Sequence, residues 1–350
     1  MGTANHTVFP LILVISVVIA DLSIFLDLPV YRQIFGFLLV TFIPGLLITH
    51  ILNLKFTSPS KTILYSVGFS VTLTMFLGFI VNLIGPLFSI YRPLSAVPLL
   101  AGINIVIVVL LIASFIVNPL GYKSPIDFKD SLTLLCSPQS FFLLLILLLG
   151  IIGGFAVRYY IWSIFSVAAM LLIAVVASLV AFDRFSNEKY YSIALFVIGL
   201  TLLLIRTLTS PYLGGTDIHV ELFYQKLTEI NAYWDPNVYP GTCNTMLSTV
   251  ILPTVYSAIL GIDAIMVYKV VFPVLFALVP VTLYHVFKGS LRPDFSFFSV
   301  FLFMSFYAFF VTLLWLPRQQ IAELYLALLL LTLFEKEIRP SVRGFLTVAW

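Results

Sequence analysis

Runs of about 20 mostly apolar residues, the length that carries a helix across a bilayer core, follow one another along nearly the whole chain. They fall at 8–28, 33–52, 62–84, 94–117, 140–157, 161–182 and 190–206, and then, after a long wetter interval, at 244–260, 264–287, 295–316 and 320–334. None of them alternates apolar and polar residues as barrel strands do, and a backbone in lipid must satisfy its own hydrogen bonds. The expected fold class is therefore all-α, a polytopic integral membrane helical bundle. Only 9% of the residues are charged, against about 25% in soluble domains, so membrane lipids are the expected surroundings. The net charge of +3 is spread between the runs, where Lys and Arg act as topology signals, and this excludes nucleic acid as a partner. The first run has no basic leader and is read as a span, not as a cleaved signal.

Basic residues flanking spans favour the cytoplasm. Placing Lys55, Lys61, Lys123, Lys129, Arg184 and Lys189 inside leaves Arg32, Arg92 and Arg158 outside. It also puts the N-terminus in the cytoplasm and starts the segment 207–263 outside. If 244–260 were a full span, Lys288, Arg292, Lys336, Arg339 and Arg343 would lie outside and Arg318 inside, inverting the rule. That run is short and rich in hydroxyls, and Pro253 at its middle removes a helix hydrogen bond. Taken as re-entrant or interfacial, it returns the five basic residues to the cytoplasm and brings Arg318 to the outer side. The expectation is a cell-membrane protein with an external loop, 207–263, that bears interfacial and re-entrant helices. Cys136 and Cys243 then lie on opposite sides and form no mutual disulfide.

The loop opens with GGTDIHVELFY at 214–224. Val220, Phe223, Leu227 and Ile230 recur at helical spacing, so the stretch can lie on the membrane with one apolar face down. Asp217 and Glu221, one turn apart, share another face, while His219 projects elsewhere. An ordinary structural account is open too: Asp217 or Thr216 caps the helix and Glu221 complements its first turn. Asp-x-His with a nearby Glu is also a possible divalent-metal set, provided the three side chains converge. Arg318 follows Trp315 and Pro317 just before a span, Lys269 lies a short way into 264–287, and Arg206 ends the span that leads into the loop. Each is explained singly as an interfacial anchor; together they suit a negatively charged lipid headgroup. Glu323 lies more than a turn into the last complete run, where a carboxylate is costly unless paired or facing a wet cavity.

These motifs resemble the GT-C superfamily of membrane glycosyltransferases, including the protein O-mannosyltransferase and aminoarabinose transferase families, over 190–350. The counterparts of that superfamily's acidic loop motif and proline-containing segment are Asp217-Ile218-His219-Val220-Glu221 and YPGTCNTMLSTVILPTVYSAILGID at 239–263. Lys269 stands where these enzymes carry a basic residue at the start of the next span, and Gly241 stands in place of their second proline. YRQIFGFLLVTFIPGLLI at 31–48 and LPRQQIAELYLALL at 316–329 resemble archaeal multi-pass membrane proteins that join such a core to an N-terminal membrane domain of unknown function. Those proteins are usually longer, and an apolar run that opens at Gly344 is cut off at Trp350, so an incomplete chain is expected. The implied organisation is an N-terminal helical domain, 1–185, and a glycosyltransferase core, 186–350.

The resemblance implies transfer of a sugar from a polyprenyl-phosphate-linked donor to a glycan, lipid or protein acceptor on the external face. Asp217 would serve as general base and Glu221 or His219 would orient it. Arg318 and Lys269 would stabilise the departing lipid phosphate, with His219, Arg206 and Glu323 as further substrate-binding residues. A divalent metal is possible, and no other cofactor is implied. Two alternatives remain: a transporter or flippase with Glu323 and Lys269 in its pathway, and a non-catalytic membrane scaffold.

Overall fold

The computed structural model describes residues 5–54, 56–117, 133–134, 136–159, 163–185 and 188–350. Lys55, Lys123 and Lys129, used above to orient the chain, lie outside the described residues. Those described are helical, with no strand among them. Among the described residues seven helices are long and apolar enough to cross a membrane: Tyr31–Ile51, Pro59–Phe88, Ala96–Val117, Pro138–Tyr159, Ile164–Ala181, Glu188–Thr207 and Ala264–Lys288. Pro293–Ser305 and Ala308–Trp315, bent by 57°, make an eighth if they form one span. The chain is an all-α polytopic integral membrane protein. Leu247–Leu260 has 14 residues with Pro253 inside it, a length of about 21 Å at 1.5 Å per residue. That falls short of the roughly 30 Å hydrocarbon core, as a helix that enters without crossing requires. Neither Cys136 nor Cys243 is in a disulfide among the described residues.

By contact the chain forms two compact units, Met1–Ile126 with His219–Val267, and Asp127–Ile218 with Tyr268–Trp350. This is a partition by contact and not the chain-order division at 185/186.

In the first unit the Phe-Ile-Pro-Gly stretch has a local cause. Pro44 starts a new helix, Ile43–Ile51, directly after Tyr31–Thr41. A Cβ on Gly45 would lie 1.8 Å from the Ser66 carbonyl oxygen, and the Gly45 amide donates to Ser70 Oγ at 2.8 Å. Only glycine allows that approach. Arg32 and Gln33 serve the short Leu247–Leu260 helix, whose last carbonyls have no intrahelical donors. Arg32 Nε donates to the Ile259 carbonyl at 2.9 Å and Nη2 to that of Ala258 at 2.7 Å, while Gln33 Nε2 reaches that of Leu260 at 2.8 Å. The cationic side chain also suits the negative end of the helix dipole, and Asp27 balances it by an ion pair. Arg92, another basic residue on the outer side of the sequence topology, donates to the Ile230 carbonyl at 3.3 Å. Both have structural work that a topology count does not see.

Asp217–Asn231 is a helix, as the spacing predicts, and its burial is inverted relative to a helix in water. Glu221, Gln225 and Thr228 are buried, whereas Val220, Phe223 and Ile230 are exposed. An apolar stripe turned outward is stable where lipid covers it. Further along, Lys226 bonds to Asp263 at 2.5 Å and to Glu229 at 2.9 Å, and Ser257 bonds to Glu229. The helix is thereby tied to the end of Leu247–Leu260.

In the second unit Pro138–Tyr159 packs closely on Tyr191–Thr207. At Gly154 an added Cβ would come within 3.2 Å of the Leu204 and Ile205 carbonyls, and small residues at such contacts let membrane helices approach. Arg158 and Arg206 are each found in the last turn of one of these helices. An aromatic core lies alongside, with Phe276 stacked on Phe309 at 5.0 Å between centroids.

Candidate functional site

The site in the second unit is built on the loop 208–216. Gly215 has φ +100°, a conformation L side chains rarely adopt, and a Cβ there would lie 2.5 Å from Cβ and Cγ of Trp315. The loop therefore lies directly on Trp315, and the helix Pro317–Phe334 begins just after it. In the first turn of that helix, Arg318 Nη2 donates to Asp217 Oδ2 at 3.0 Å. Asp217 Oδ1 accepts from Thr216 Oγ1 at 3.3 Å. Both carboxylate oxygens are thus directed, and half of the side chain stays exposed.

Beside this pair is a cleft of about 120 Å³ lined by Arg206, Thr207, Ser210, Ile218, Lys269 and Trp315, among others. Ile218 follows Asp217 directly in the chain. Lys269 lies in a π-helical turn, Val267–Val271, a distortion that re-aims side chains and is frequent at functional sites. Its backbone carbonyl accepts from Thr207 Oγ1 at 2.9 Å, and its ammonium donates to the Ser210 carbonyl. With 4% of its surface exposed, Lys269 has no carboxylate partner among the described residues. Arg158 lies within electrostatic reach of it and adds repulsion. Arg206 likewise has no ion pair among the described residues. A buried ammonium held by one carbonyl and a neighbouring guanidinium without a counterion make a place where an anion gains both charge and hydrogen bonds.

The structure brings Asp217 to Arg318, and Lys269 to the cleft that Arg206 also lines. It does not bring the other expected residues there. His219 is exposed, Glu221 is fully buried one turn beyond Asp217, and Glu323 is half-buried on Pro317–Phe334 away from the cleft. Among the described residues no three His, Cys, Asp or Glu side chains are grouped to hold a metal ion, so Asp217, His219 and Glu221 do not form the metal set considered above. The sequence reading passed over Thr207 and Ser210 and took Trp315 only as the interfacial neighbour of Arg318. The hydroxyl-rich run Arg206-Thr207-Leu208-Thr209-Ser210 at the exit of a span was the available signal.

Comparison with protein-family models, with curated proteins and with solved structures returns no match.

Proposed function

We propose that this is a membrane glycosyltransferase that moves a sugar from a polyprenyl-phosphate-linked donor to an acceptor at the external face. The observation that carries the proposal is Lys269, a buried ammonium with no carboxylate partner among the described residues, in a hydroxyl-lined cleft with Arg206 and beside the Asp217–Arg318 pair. In the reaction a bond forms between the acceptor oxygen and the anomeric carbon, and the bond from that carbon to the phosphate oxygen breaks. The acceptor proton passes to Asp217, and the electron pair leaves with the phosphate. Lys269 and Arg206 then meet negative charge that grows as the bond breaks, the condition under which fixed cations lower a barrier. Arg318 keeps Asp217 aimed, so it acts here as a positioning residue more than as a phosphate ligand. The outward apolar face of Asp217–Asn231 would rest in the interface where such a donor lies.

Binding of a polyprenyl phosphate and of the matching neutral polyprenol to the full chain in nanodiscs tests the proposal, followed by discharge of a polyprenyl-phosphate-linked hexose. Lys269→Met is expected to weaken phosphate binding about tenfold or more, as loss of one charge-assisted bond does, and to leave the alcohol unaffected. Equal affinity for the two lipids, or full discharge by Asp217→Asn, would sink it.

A further inference from the structure

A second cleft, of about 360 Å³, lies wholly in the first unit, and its chemistry is opposite to that of the cationic one. Its walls include Tyr91, Tyr233 and Tyr239, with Asn231, Asp235 and Asn244 between them, and no Lys, Arg or His lines it. Its size is in the range of small-molecule pockets.

The walls are built and held. Asn82, buried on the helix Pro59–Ile84, accepts from the Trp234 amide at 2.8 Å and donates to the Trp234 carbonyl at 2.9 Å. The Trp234 indole donates to the Asn244 carbonyl at 2.9 Å, and the Asn244 amide donates to the Tyr239 carbonyl at 3.0 Å. The Leu94 amide donates to the carbonyl of Ala232 at 2.8 Å, and Tyr239 packs edge-on against Phe223 at 5.6 Å. These bonds use groups that face the scaffold and leave a set of others uncommitted. Asp235 Oδ1 accepts from the amide and the side chain of Asn237 at 2.9 and 3.2 Å, while Oδ2 has no donor among the described residues. Asn231 donates to the Leu227 carbonyl at 2.9 Å, which leaves its Oδ1. The hydroxyls of Tyr91, Tyr233 and Tyr239 have no hydrogen bond among the described residues.

We infer that this cleft binds a neutral carbohydrate. An anion would meet Asp235 and find no cation among the described lining residues. A hydrocarbon chain would strand the phenol and amide groups, which cost free energy when buried without partners. A quaternary ammonium suits tyrosine faces and a carboxylate, but it has no donors for the Asn231 carbonyl and no use for the three phenol hydroxyls. A sugar ring uses every element. Its C–H face lies on a tyrosine ring, its hydroxyls donate to Asp235 and Asn231, and its oxygens accept from the phenols. The inference deepens the transfer proposal by giving a neutral acceptor glycan a place, and it depends on that proposal for the word acceptor alone.

The test uses the full chain in nanodiscs and reads binding without turnover. Methyl glycosides of neutral hexoses and N-acetylhexosamines, and their disaccharides, are titrated by saturation-transfer NMR, with tetramethylammonium and inorganic phosphate as comparison ligands. At least one glycoside is expected to bind saturably. Asp235→Asn keeps the acceptor for Asn237 and should weaken binding about tenfold; Tyr91→Ala, at a highly exposed ring, should weaken it without moving the thermal transition. Absence of glycoside binding at millimolar concentration, indifference to both substitutions, or preference for tetramethylammonium overturns the inference. Lys269→Met should leave glycoside binding unchanged. Loss of glycoside binding with polyprenyl phosphate binding intact sinks this inference alone, and the reverse pattern sinks the donor proposal alone.

Discussion

Arg318 and Asp217, 101 positions apart, meet through one guanidinium–carboxylate bond of 3.0 Å, which joins the first turns of Pro317–Phe334 and Asp217–Asn231. Both side chains are partly exposed, 25% and 47%, so the bond is worth under about 1 kcal/mol of stability. Its value lies in position. Asp217→Asn is expected to lower donor discharge about 10²- to 10⁴-fold, the range for loss of a general base, with the thermal transition almost unmoved. Arg318→Gln should lower activity less. Parallel turnover and thermal-melt measurements check this, and a large loss of stability in Asp217→Asn would make the role structural.

Gly215 and Gly214 offer an internally controlled pair. Gly215→Ala forces a left-handed backbone and drives a methyl group into Trp315, which should cost about 2 kcal/mol or more. At Gly214 the added carbon would lie 3.4 Å from Trp315 Nε1, so Gly214→Ala should cost under about 1 kcal/mol. Chemical denaturation of each variant, followed by Trp fluorescence, gives the comparison. Equal effects would mean that the loop is not seated on Trp315.

Arg32→Met removes two donors from the last carbonyls of Leu247–Leu260. The expected loss is about 1.5–3 kcal/mol or more, the range for a hydrogen bond to a charged group. Hydrogen exchange should quicken in 255–261 before elsewhere, with Arg32→Lys intermediate. Unchanged protection in that segment would contradict the capping role.

Stability should also depend on pH through Lys226 and Asp263. For Asp263, burial opposes the charged form, but the bond from Lys226, the charge of Lys226 and the amides of Ile265 and Ala264 together outweigh it, so its pKa is below the usual carboxylate range. For Lys226, burial also opposes the charge, and its bonds to Asp263 and Glu229 outweigh that and raise its pKa above the lysine range. A depressed acid contributes stability above about pH 4 and loses it as pH falls through its folded value. A raised base contributes below about pH 10 and loses it as pH rises through its folded value. The pair should therefore stabilise from about pH 4 to pH 10 and fade on either side, by under about 1 kcal/mol because both groups are partly exposed. Lys226→Met should flatten both limbs of the melting-temperature profile.

The membrane class and the helical fold were legible because apolar runs of the right length leave a backbone in lipid one way to satisfy itself. The shortness of Leu247–Leu260 was legible for a related reason, since its apolar run is short and rich in hydroxyls and carries Pro253 at its middle. The apolar stripe of Val220, Phe223 and Ile230 was equally readable from spacing. Its complement, the burial of Glu221 and Gln225, was not, because a polar face reads as solvated until its neighbours are known. Arg32 looked like an exception to a charge rule and turned out to be the cap of a helix more than 220 residues away. Lys269 and Arg206 could be named from the sequence, but their convergence with Ser210 depends on a π turn and a loop seated on Trp315. The tyrosine cleft gave no sequence signal, since Tyr91 and the 231–244 loop are brought together by distant contacts such as Leu94 to Ala232 and Asn82 to Trp234. Local periodicity records which face of a helix prefers lipid; which distant groups share a cavity is set by packing, and packing belongs to the tertiary structure.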